Sequence, residues 1–103
     1  MEITPLFSKP LAMTTLVLSD DEYNKIDEVF NSCNVSIRSE NLKVLENHKL
    51  KFLKEDIKRV VDDYWSNKLM YDTKLELTTS WFTSLTKGQN TDWHKHTNSI
   101  LSG

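Results

Sequence analysis

The chain has 103 residues, 38% apolar and 27% charged, with a formal net charge of −2. That length holds a single domain with a modest core, and the scattered Lys and Arg on an acidic balance exclude nucleic acid as the expected partner. No stretch is long and apolar enough to span a bilayer or act as a secretory signal, so no membrane partner is expected. With Cys33 as the single cysteine, no intrachain disulfide can form; a reducing, cytoplasmic setting fits, and the sequon Asn34-Val35-Ser36 reads as a chance match.

In chain order, residues 3–18 carry β-branched residues interrupted by Pro5 and Pro10, which predicts an extended entry and a short edge strand at 11–18. Ser19-Asp20-Asp21-Glu22 is a capping box with anions where the helix dipole favours them. Tyr23, Ile26, Val29, Phe30 and Cys33 follow at helical spacing, so a helix is predicted over 20–32. The polar stretch after it reads as a connection with one short turn or strand near Lys43 to Leu45. From Leu50 a broad apolar stripe through Phe52, Leu53, Ile57, Val60, Val61, Tyr64 and Trp65 lies opposite a charged face, which predicts the main core helix over 48–69. Leu75, Leu77, Thr79, Trp81, Thr83 and Leu85 then alternate with Glu76, Thr78, Ser80, Phe82 and Ser84, the period of a strand. A turn at Lys87 to Thr91 leads to a second strand through Trp93-His94-Lys95-His96. The order predicts an α+β domain, two main helices packed on a short antiparallel sheet.

His94 and His96, two residues apart on a strand, would project to one side and offer two neutral nitrogen donors to a transition metal. An isolated H-x-H is more often a pair of surface histidines. Asp92 adds an oxygen donor, but alternate strand side chains lie about 6–7 Å apart, so at least one ligand must come from elsewhere. His48, the remaining histidine, sits at a helix start, where a capping or solvent-facing role is expected. Trp65, Trp81 and Trp93 read as packing residues, and Cys33 as a small buried hydrophobe. No phosphate-binding loop, dinucleotide fingerprint, C-x-x-C or serine-hydrolase elbow is present.

Taken together, Thr79-Ser80-Trp81-Phe82, Gly88-Gln89-Asn90 and the run His94-Lys95-His96-Thr97-Asn98-Ser99-Ile100-Leu101-Ser102-Gly103 resemble the first half of a 2-oxoglutarate/Fe(II)-dependent oxygenase family with an H-x-H-x-N-S-x-x-S-G motif, frequent in tailed phages and marine bacteria. Pro5-Leu6-Phe7 and the helices fit its N-terminal support more loosely. The resemblance implies the N-terminal part of a double-stranded β-helix (jellyroll) fold, Fe(II) and 2-oxoglutarate as cofactors of the complete protein, and His94 as first metal ligand. His96 stands where the wider superfamily carries a carboxylate, a departure that leaves one more positive charge on the metal. The later strands with a distal His and a basic residue for 2-oxoglutarate have no counterpart, so residues 1–103 are expected to be a single truncated oxygenase-like domain, a dioxygenase (hydroxylase) fragment inactive alone, in host cytoplasm if phage-encoded. The alternative is a non-enzymatic interaction module that completes its sheet through an unpaired strand edge, by self-association or with a complementing C-terminal chain.

Overall fold

A computed structural model of the chain describes residues 1, 9–35, 37–92, 96 and 99–103. Helix α1 runs over Asp20–Ser32, the span the capping box and apolar spacing predict. Glu22 N–H donates to Ser19 Oγ at 3.2 Å and Ser19 N–H donates to Glu22 Oε1 at 3.0 Å, so two otherwise orphaned donors satisfy each other's side chains. The helix stops where Cys33 turns extended, its N–H shared between the Val29 and Phe30 carbonyls.

The predicted helix over 48–69 is a composite. Two 3-10 turns, Val44–Glu46 and His48–Leu50, feed α2 at Lys51–Asp62, and a π-helical turn follows at Asp63–Lys68. The Leu69 N–H reaches back to the Tyr64 carbonyl and the Tyr71 N–H to that of Trp65, a closure that forces Met70 to φ 61°. That conformation favours glycine, and a side chain there costs about 1–2 kcal/mol. Trp65 lies outside the buried core, stacked on Tyr71 at 4.2 Å with its indole N–H donated to the Thr73 carbonyl at 3.0 Å.

The core is small. Val29 of α1, Leu45 and Leu50 form the buried cluster, and Ile26, Cys33, Phe52, Leu53, Ile57 and Phe82 pack around it. Leu50, the last residue of the second 3-10 turn and the N-cap of α2, is 0% exposed, whereas α2 itself contributes no fully buried residue. Its outer face carries the pairs Lys51–Glu55, Lys58–Asp62 and Arg59–Asp56, with mostly exposed side chains. Such pairs give only a few tenths of a kcal/mol each, roughly, and mark a solvated face.

The expected sheet is absent among the described residues. Among the described residues there are two α-helices and no strand, only isolated bridges at Val35↔Ser39, Arg38↔Thr83 and Lys43↔Ser80. The α+β prediction of two helices on an antiparallel sheet, and with it a jellyroll portion, is therefore overturned. The physical reason lies in the partner segment: 37–45 meets the Trp81 segment antiparallel at Arg38 and parallel at Lys43, bending between them, so no two consecutive residues stay in register. Residues 11–18 likewise form no strand, with Leu11, Met13 and Val17 84–93% exposed. The strand expected through Trp93-His94-Lys95-His96 and the Pro5-Leu6-Phe7 entry lie outside the described residues, apart from His96 itself.

Substituting Leu50→Ala is expected to cost about 2–5 kcal/mol, because the site is sealed on all sides. Leu11→Ala should leave the unfolding midpoint where it was. Urea melts of both variants check the contrast, and equal midpoints would mean that the core is elsewhere.

Candidate functional site

The candidate site is built on residues 79–84, pinned against the loop 37–45 by hydrogen bonds from both sides. Ser39 N–H donates to the Phe82 carbonyl at 2.8 Å, and Phe82 N–H donates to Ser39 Oγ at 3.0 Å. Ser39 Oγ in turn donates to the Asn41 carbonyl at 2.9 Å, so this 1%-exposed serine has its hydroxyl satisfied as donor and acceptor. Two residues earlier, Ser80 N–H donates to the Leu42 carbonyl, while its own carbonyl and hydroxyl accept from the Val44 and Leu45 N–H groups at 3.2 and 3.0 Å. Ser84 N–H closes the far end on the Ile37 carbonyl at 3.1 Å.

This pinning fixes which way each side chain turns. Phe82 goes inward, edge-on to Phe30 of α1 at 5.4 Å, and joins the core. Trp81 goes outward and stacks on the imidazole of His96, with ring centroids 5.9 Å apart and planes 22° off parallel. Trp81 of the S-W part and His96 of the H-x-H part of the sequence motif thus meet in space. Stacking covers a ring face, whereas the lone pairs that bind metals lie in the plane of the imidazole.

His94, the first expected ligand, lies outside the described residues, as do Trp93, Lys95, Thr97 and Asn98. Asp92 is exposed. Among the described residues no group of three or more His, Cys, Asp or Glu side chains could hold a metal ion. These residues do not by themselves complete the two-histidine, one-carboxylate iron site of the oxygenases. His48 is exposed on the turn His48–Leu50, in a shallow groove with Glu46, Asn47, Lys51 and Lys54, as its position at a helix start implied. Cys33 is half-buried at the end of α1, against the core.

Sequence reasoning missed Ser39 and Ser80, the two residues that hold the Trp81 segment. Ser39 sits in a polar run that reads as connection and Ser80 in the polar set of the predicted strand, and nothing in their spacing marks them as anchors. Electrostatics add one feature: a 2.8 Å hydrogen bond from Lys54 Nζ, then the lysine's charge, hold the Glu46 carboxyl below the usual glutamate range, with Lys43 adding to the effect. No helix among the described residues is long and apolar enough to cross a membrane. Compared with known proteins, the chain matches no family model, no curated protein and no solved structure.

Removing the hydroxyl in Ser39→Ala deprives the Phe82 N–H of its acceptor and is expected to cost about 1–3 kcal/mol. Denaturation followed by tryptophan emission would register both the lost stability and a freed Trp81 segment. For Glu46, the folded pKa lies below the unfolded one, so the bond's contribution is present at neutral pH and is lost as pH falls below the ordinary carboxylate range. Glu46→Gln should therefore lower the melting midpoint at neutral pH and flatten its decline on acidification. Parallel melting curves for the two proteins across that range would refute the assignment.

Proposed function

We propose that the chain contributes metal-ligating histidines to a 2-oxoglutarate/Fe(II)-dependent oxygenase, with His94 and His96 as imidazole donors in a reducing, cytoplasmic setting. The observation that carries this reading is the stacking of His96 on Trp81, which brings two separate parts of the family motif into contact. The order of those parts over residues 79–103 supports it further. Two imidazoles supply donors for a transition-metal ion, so metal binding by residues 94–96 is the behaviour this reading expects.

Calorimetry with the metal ions alone tests the reading. Two imidazoles supply donor type but little geometric selection, so Cu²⁺ and Ni²⁺ should bind ahead of Fe²⁺. The paired change His94→Ala with His96→Ala should abolish Ni²⁺ binding and His48→Ala should not. Ni²⁺ bound as tightly by the double variant as by the parent overturns the assignment.

A second reading, an interaction module, is favoured by the apolar surface. Leu11, Met13, Val17, Met70 and Ile100 are 73–93% exposed, and the Cα radius of gyration is 16.6 Å, against about 13 Å for a compact domain of this length. Contiguous apolar exposure marks surface that another polypeptide covers, and Leu77, Trp81 and Leu85 share one side of a single segment at 37–45% exposed.

A further inference from the structure

Over the pinned stretch 80–84, the even-numbered residues spend their backbone groups on the loop 37–45: Ser80 N–H on Leu42, Phe82 N–H and carbonyl on Ser39, Ser84 N–H on Ile37. In extended backbone successive residues turn these groups to opposite edges, so Trp81 and Thr83 direct theirs away from the loop. No hydrogen bond among the described residues engages the backbone of Leu77, Thr79, Trp81, Thr83 or Leu85. Their side chains are outward as well: Leu77 is 44% exposed, Trp81 37% and Leu85 45%, with both threonines exposed. An open edge and an apolar face coincide.

What fits this edge follows from its sequence. Leu77, Thr79, Trp81, Thr83 and Leu85 read the same in both directions about Trp81. We propose that this edge pairs antiparallel with the same edge of a second copy, with Trp81 on the two-fold axis. An isologous contact must be self-complementary, and the palindrome supplies that: Trp81 faces Trp81 of the second copy, Thr79 faces Thr83, and Leu77 faces Leu85.

The backbone restricts the register independently. Only odd-numbered residues carry outward N–H and carbonyl groups, so odd must pair with odd and the axis passes through a residue position rather than between two; centring on Ser80 would set Trp81 against Thr79 and Leu77 against Thr83, and centring on Phe82 would set Trp81 against Thr83 and Thr79 against Leu85. Centring on Thr83 would set Trp81 against Leu85 and Thr79 against Lys87; centring on Thr79 would set Leu77 against Trp81. Centring on Trp81 matches like with like and leaves no like charges opposed, Glu76 facing Thr86 and Lys74 facing Gly88. The formal net charge of −2 adds little repulsion between copies.

This proposal rests on the interaction reading and names its partner. Sedimentation of the 103-residue chain over a concentration series should give a monomer–dimer equilibrium. Leu77→Glu combined with Leu85→Glu sets like charges opposite each other twice by symmetry and should weaken the dimer about tenfold or more; Leu77→Glu with Leu85→Lys sets opposite charges there and should bring most of the affinity back. In the unaltered chain, hydrogen exchange at the Thr79, Trp81 and Thr83 amides should slow as concentration rises, while Ser80, Phe82 and Ser84 stay protected throughout. Equal affinity of the two charge variants, or concentration-independent exchange at Trp81, overturns the pairing. A monomer that still binds a dye for exposed apolar surface overturns the second copy as partner but leaves the interaction reading standing; a monomer that binds no such dye overturns both.

Discussion

One buried serine holds this molecule's halves together. The first half, through Leu50 and α2, is local structure that helix capping and short turns explain; residues 70–92 contain no helix or strand and are tied to it chiefly through the loop 37–45. Ser39 makes the central tie, exchanging two hydrogen bonds with Phe82 while its hydroxyl proton goes to Asn41. A hydroxyl serves here because it can accept and donate at once, which satisfies a backbone amide that would otherwise be buried unpaired. Phe82 then carries the tie into the core by its contact with Phe30.

The helices were legible in the sequence because the forces that make them are local. Ser19 and Glu22 are three residues apart and satisfy each other, and the stripe from Phe52 to Ile57 recurs at the helical period, so both read directly from neighbours. The π-helical turn was not legible: Tyr64 to Met70 continue a good apolar period, and only the closing bonds onto Trp65 and Tyr64 reveal that the spiral has widened. Met70 accepts a glycine's conformation there without any glycine to announce it.

The sheet failed for a different reason. Alternation over 75–85 records which side of the chain each residue takes, and the structure keeps that alternation, Phe82 inward and Trp81 outward. A strand also needs a partner that stays in register, which is a non-local condition that no window of residues contains. The loop 37–45 meets it at two isolated points and bends between them. The more apolar set, Leu77, Trp81 and Leu85, also faces outward, the reverse of a strand half-buried on its own core.

That inversion ties the candidate site to the surface around it. The even-numbered residues secure the segment and the odd-numbered residues remain outside, so Trp81 is the point where fold, histidine motif and open edge converge: its neighbours Ser80 and Phe82 fix its backbone, and its indole lies along the imidazole of His96. Stacking on the Trp81 indole restrains the orientation of the His96 ring through its face. Among the described residues only four apolar side chains are buried, Val29, Val44, Leu45 and Leu50, so the Trp81 indole against which His96 lies is oriented less by the core than by a backbone clamped from behind at Ser80 and Phe82.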